Sequence, residues 1–385
     1  MLISRLNKYH TSFLCCLIVI ISATFYVGAV PTRVFGHDIF FLLDNGWRIV
    51  NGQIPHVDFT SAWGAVTFLI VGMGLLLSDY TVDGIGYGSA VFGLIIGFWS
   101  YYLCRCRLLP TLKILLSLYI VSLVVAPYPL GDSFKMSSHA MVYNRYGYAL
   151  LALIMIDVFP MKGDSRQNGT GLIRGISSGV ATATVLFLKA SYFGGAIILL
   201  GSSLLFKGFS RVYCSGLLLG FLTALMALLA FIQFDVVSLI NNLKMAAEGR
   251  ANGIFYDILL VKIVNIIPIV LFITLIAIQA HIIEKLKEMR ANYSVLFCVI
   301  AVLFVDTILL FTNQQFFNFP LTVVFSLLLV NRVILLNQGE KNIGNELRNP
   351  PLQRSLILSG GAFFLFFFAL EIAGLGFGVV QKIQV

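Results

Sequence analysis

About a dozen long apolar runs divide this 385-residue chain, and they decide what it can fold into. They lie at roughly 13–30, 62–77, 84–103, 112–127, 146–160, 172–188, 190–206, 212–233, 258–280, 294–312, 319–336 and 355–379. A helix needs about 20 apolar residues to cross a bilayer, and most of these runs approach that length. Charged residues are only 11% and hydrophobic residues 59% of the chain, against about 25% charged in a soluble domain. A soluble enzyme, a disordered chain and a collagen-like fibre are excluded. A β-barrel is also excluded, because it needs short alternating strands rather than continuous runs. The expected fold is all-α: a polytopic transmembrane bundle of about eleven spans. It forms one integral membrane domain over 1–385, with no soluble domain.

The formal net charge is +9. In a membrane protein this reads as positively charged cytoplasmic loops beside anionic lipid, and nucleic acid is not expected as a partner. Arg5 and Lys8 precede the first run, which is too long for a signal peptide and predicts an uncleaved span. Run 62–77 is short and carries Gly64, Gly72 and Gly74. If it crossed fully, the basic loops from Arg105 onward would face outward. If it lies at the outer interface or dips in and returns, most of the 26 basic residues stay inside. That favours a cytoplasmic N-terminus, an outer C-terminus and a re-entrant segment within a first outer loop at 31–78. The setting expected is multi-pass in a bacterial inner membrane.

That loop is the most informative stretch. Asp38 follows the first span closely. Residues 39–49 are apolar apart from Asp44, Asn45 and Arg48. The i,i+4 pair Asp44 and Arg48 predicts an amphipathic helix lying on the membrane. Asn51-Gly52-Gln53 signals a turn, which Pro55 stiffens. His56, Asp58 and Ser61 then lead into the short run. Carboxylates and imidazoles at a water–lipid boundary can be tuned as proton acceptors.

The pattern resembles the first outer loop of GT-C superfamily glycosyltransferases, which include protein O-mannosyltransferases and lipid A aminoarabinose transferases. About 35 residues match in detail: an Asp after the first span, an interfacial helix, Gly52-Gln53-x-Pro55-x-x-Asp58-Phe59, then a glycine-containing apolar segment. The resemblance implies transfer of a sugar from a polyprenyl-phosphate donor to a glycan, lipid or protein acceptor on the outer face. Asp38 matches the acidic catalytic residue and would be the base; its structural alternative is to cap the interfacial helix. The resemblance implies a lipid-linked donor and no certain cofactor, although a divalent cation assists some members. No residue is assigned as a metal ligand.

The residues themselves add binding candidates. His37 and His56 are candidates for phosphate or acceptor, and Asp58 for a turn or substrate contact. The second outer loop, 128–145, holds Asp132, Lys135, His139 and Arg145. Arg145, expected at the outer headgroup level, suits a phosphate because its planar fork donates two hydrogen bonds. Lys135 would add charge and Asp132 a second carboxylate. Lys189, Asp306 and Glu371 fall in the outer halves of predicted spans, where charges usually face a partner or cavity. Asp157 falls near an inner end, where water is expected to meet it.

No Walker motif, GxGxxG or HExxH occurs. Cys104 and Cys106 lack the second half of a metal site and read as small hydrophobes. Asn168 and Asn292 open glycosylation-type triplets on predicted inner loops, where they are discounted. Two other functions compete with the transferase: a transporter or flippase for lipid-linked sugars, and a glycan polymerase or ligase. The first predicts internal repeats, of which none is evident. The second predicts arginine-rich outer loops, and outer arginines are sparse.

Overall fold

The computed structural model describes residues 2–105, 107–161, 169–207, 210–251, 267, 270, 273–274, 294–313, 318–341 and 350–384. Thirteen helices are defined among them. They are α1 (Leu2–Val27), α2 (Gly36–Val50), α3 (Ala65–Leu77), α4 (Gly84–Cys104), α5 (Pro110–Val125), α6 (Val142–Val158) and α7 (Gly169–Leu186). The rest are α8 (Ala190–Lys207), α9 (Arg211–Phe231), α10 (Val236–Ala251), α11 (Ser294–Thr312), α12 (Pro320–Lys341) and α13 (Pro350–Gln384). No strand occurs among the described residues, where an isolated bridge joins Pro55 to Phe59.

Each apolar run seen in the sequence coincides with a helix, except 258–280, which lies almost wholly outside the described residues. So do Cys106, Lys162, Arg166 and Asn168, the basic stretch Lys285, Lys287 and Arg290, and Asn292. Residues 314–317 and 342–349 of the loops at 313–318 and 337–354 lie outside them as well. Five described helical stretches are long and apolar enough to cross a bilayer: Lys8–Val27, Gly84–Cys104, Arg211–Phe231, Val295–Thr312 and Gln353–Gln384. This marks the chain as a helical membrane protein.

Helix α6 is the axis of the packing. It is apolar nearly all round, and every residue from Val142 to Val158 is buried. A helix without a polar face belongs inside. Helices α4, α5, α7, α8 and α12 pack around it. Its two ends are held by charge. Near the first turn, Arg145 Nη1 meets Glu371 Oε2 of α13 at 2.8 Å, with both side chains sealed from solvent. At the last turn, Asp157 accepts from Arg174 Nε at 2.6 Å, Ser178 Oγ at 2.7 Å and Tyr213 Oη at 2.6 Å. Asp157 therefore does not meet water, as its sequence position suggested. It joins α6 to α7 and α9, and a buried carboxylate is tolerated because donors surround it.

Helices α2 and α3 form a hairpin over this bundle. Amphipathicity sets α2: Asp38, Leu42, Asn45 and Gly46 are buried, while Phe40 and Trp47 are exposed on the other side. The predicted i,i+4 pair forms, with Arg48 Nε 2.8 Å from Asp44 Oδ2. Helix α3 is 13 residues long and mostly buried. It packs on α4 at backbone contact, since a Cβ on Gly74 would lie 1.8 Å from the Gly84 carbonyl oxygen. Small residues permit such close approach.

Candidate functional site

Two sets of hydrogen bonds bring three separate chain segments to Asp38. The first sews the 128–141 loop to the chain after α1. Arg33 N donates to Ser137 O at 3.0 Å, Ser137 Oγ to Pro31 O at 2.8 Å and Ser138 Oγ to Val34 O at 2.9 Å. His139 Nε2 reaches Gly28 O at 3.1 Å. The start of α6 is thereby carried to the start of α2. The second set ties the entry to α3 onto the α7–α8 turn. Gly64 N donates to Leu188 O and Val66 N to Phe187 O, each at 3.0 Å. Only glycine fits at 64, because a Cβ there would lie 1.9 Å from Phe187 O. Lys189, the next residue of that turn, is carried to the same place.

The outcome is a buried acid beside a buried cation. Asp38 lies in the first turn of α2, yet it does not cap that helix. The N-cap is Phe35, in a left-handed conformation with no side-chain cap. The Asp38 carboxylate instead feels the His37 imidazole, the backbone N–H of Met141, which precedes the first turn of α6, and, most weakly, the ammonium of Lys189. A helix N-terminus and a cation both favour the charged form. Burial opposes them and is the larger effect, so the carboxyl is held above its ordinary value. Its Oδ1 lies 3.2 Å from His37 Nε2, whose ring is largely exposed. Its Oδ2 is buried and has no hydrogen-bond partner. An orphaned buried carboxylate oxygen is costly, and such atoms collect at functional sites.

Lys189 Nζ donates to Asn144 Oδ1 at 3.3 Å and sits 4.6 Å from the Tyr143 ring centroid. Tyr143 packs against Trp63 at 4.2 Å, and Trp63 meets Phe41 edge-on at 4.9 Å. Asn144 Nδ2 is a second buried polar atom without a partner. The site thus has an acid, a cation, an amide donor and an aromatic wall.

The other predicted residues divide. His56 is buried; its Nδ1 meets Asn242 Nδ2 of α10 at 3.1 Å, and burial pushes its pKa down to about 4. Asp58 Oδ2 accepts Ile54 N at 2.6 Å and closes the turn that the sequence signalled. Asp132 accepts the neighbouring Ser133 N at 2.8 Å, and Lys135 is exposed nearby; among the described residues nothing links either to Asp38. Arg145, expected at the headgroup level, is instead 1% exposed. Besides Glu371, it donates from Nη1 to Leu123 O and from Nε to Tyr128 O and stacks over the Tyr128 ring, while its Nη2 is buried without a hydrogen-bond partner. Buried arginine is stable only with this much pairing. Asp306 accepts from both the N–H and the hydroxyl of Thr322, at 2.8 Å each. The sequence marks Lys189 as a charge in the outer half of a span, on the side of the two loops, without naming its partner. Its approach to Asp38 needs the Gly64 contact, which has no local signature. Among the described residues no three or more His, Cys, Asp or Glu side chains gather as a metal site.

Fold and site define a helical membrane protein with a buried carboxylate at the meeting of its first long loop and its central helix. Compared with family models, curated proteins and solved structures, the chain matches none.

Proposed function

We propose that this protein is a multi-pass membrane glycosyltransferase of the GT-C kind, moving a sugar from a polyprenyl-phosphate donor to an acceptor on the outer face. In this reading eleven spans cross a bacterial inner membrane, with the N-terminus cytoplasmic. Helix α2 lies on the outer interface, with Phe40 and Trp47 in the lipid headgroups and Asp38 turned inward, as amphipathic interfacial helices do.

The carrying observation is the orphaned, buried Oδ2 of Asp38 beside Lys189. As an acceptor hydroxyl or amine attacks the anomeric carbon, its proton passes to Asp38 Oδ2. The bond from the anomeric carbon to the phosphate oxygen breaks, and the electron pair leaves with the lipid phosphate. Burial raises the basicity of Asp38, as a general base requires. Lys189 faces the charge that builds on the leaving phosphate, and a preorganised cation in a dry site is most effective there. Lys189 takes this role in place of Arg145, whose charge is neutralised by Glu371 and whose Nε and Nη1 are held by that carboxylate and two carbonyls, away from Asp38.

The test is transfer of radiolabelled sugar from polyprenyl-phosphate donors to membrane-extract acceptors by the purified chain in proteoliposomes. Wild type is expected to transfer, and Asp38→Asn to lose at least a hundredfold, at the lower end of what a general base supplies. Unchanged turnover in the variant overturns the base assignment. Sugar-lipid movement across the bilayer without transfer favours a transporter.

A further inference from the structure

Beyond Asp38, the same helix borders an open groove of about 480 Å³. Its walls include Phe41, Asp44 and Asn45 of α2, and His56, Asp58 and Thr60 of the following turn. We propose that this groove is a saccharide-binding subsite that holds the neutral, polyhydroxylated end of the acceptor. The assignment of that saccharide as acceptor rests on the transferase reading; the binding itself does not.

The chemistry of the walls selects this ligand. Sugar rings offer many hydroxyls, each both donor and acceptor, and an apolar C–H face. The groove supplies carboxylate acceptors (Asp44, Asp58), a hydroxyl (Thr60) and an aromatic side chain (Phe41). His56 adds a donor in search of a partner. The Asn242 amide N–H donates to His56 Nδ1, so the ring proton resides on Nε2. That Nε2 is buried without a hydrogen-bond partner, and His56 is 4% exposed. The backbone holds it there in a left-handed conformation, φ 69°, which a non-glycine residue rarely adopts. Such local strain marks functional positions.

Other ligands fit less well. A divalent cation needs lone pairs, but His56 presents an N–H. Asp58 Oδ2 is taken by Ile54 N, and Asp44 Oδ2 by Arg48. A phosphate would face two carboxylates against one arginine that Asp44 already pairs. An acyl chain would need apolar walls, and most residues here are polar. Position also fits. Phe41 lies three residues and Asn45 seven residues beyond Asp38, so all three share one face of α2. A chain of sugar units lying in the groove points its end toward the carboxylate.

The test is saturation-transfer NMR on the detergent-solubilised full chain with neutral glucose and mannose trisaccharides as probes. Wild type is expected to bind at least one of them. His56→Ala and Thr60→Trp are expected to weaken that binding at least tenfold. Thr60 is exposed, so its variant blocks the groove without touching the core. Asp38→Asn is expected to bind as wild type does, even where sugar transfer is lost. Absence of binding in wild type, or equal binding in Thr60→Trp, overturns the subsite whatever the transfer assay reads. Displacement of the trisaccharide by millimolar magnesium or inorganic phosphate overturns it in favour of an ion site.

Discussion

Arg145 and Glu371 lie 226 residues apart in the chain, and their side chains meet at 2.8 Å with neither open to solvent. This contact fastens the C-terminal helix α13 to the central helix α6. Removing one partner strands the other as a buried charge. Glu371→Ala or Arg145→Ala is therefore expected to cost about 3–5 kcal/mol. The double variant Arg145→Met, Glu371→Leu is expected to recover most of that loss. Unfolding of the detergent-solubilised protein by chemical denaturant, compared across the three variants, measures both effects.

The α3–α4 hairpin depends on the absence of a side chain at Gly74, where a Cβ would overlap the Gly84 carbonyl oxygen. Gly74→Val is expected to pry α3 from α4 and loosen the loop above it. Single cysteines placed along 65–77 are expected to react with a thiol reagent several times faster in that variant than in the parent.

Two buried imidazoles make the loops before α3 and before α6 sensitive to acid. Burial pushes both His56 and His139 down to about 4 from 6.5. Between those values the unfolded chain binds protons that the folded chain refuses, so folding stability is present above pH 6.5 and is lost as pH falls toward 4. Asp38 works in the opposite sense. Its raised pKa contributes stability below the ordinary carboxylate value, and that contribution is lost as pH rises through the folded value. Each buried histidine therefore costs stability between pH 7 and pH 4.5, and the midpoint of thermal unfolding reads that loss. His139→Gln, which retains a donor for Gly28 O, is expected to flatten that slope.

Much of this architecture is written locally. The helices follow the apolar runs because each run is long enough to satisfy its backbone internally. The α2 helix follows from its one-sided polarity and from Asp44 and Arg48 one turn apart. The turn at 51–58 follows from Asn51-Gly52 and Pro55. The site is legible only in part. Asp38 stands out by its position after the first span, but its partners come from residues 141 and 189, brought there by backbone pairing and by the Gly64 contact. The commitment of Arg145 to Glu371 is likewise invisible, because no spacing rule connects positions so far apart. Long-range pairing of charges is decided by packing, and the sequence shows only that each charge needs a partner.

Lys189 separates a catalytic cation from a structural one. If it meets the leaving phosphate, Lys189→Met is expected to lower kcat for sugar transfer by ten- to a hundredfold with little change in KM. Lys189→Arg is expected to restore part of the loss. A purely structural lysine would lower the yield of folded protein and leave the kcat of the remainder unchanged.

The most direct measurement of the central claim is the pH dependence of single-turnover sugar transfer, wild type against Asp38→Asn. With Asp38 as base, the wild-type rate rises with pH through an acid limb displaced above the ordinary carboxylate value of 3.8, because burial holds the proton on. The variant is then slower at least a hundredfold, and its limb is gone. A variant that keeps both the rate and the limb contradicts the assignment of Asp38 and, with it, the transferase reading of this site.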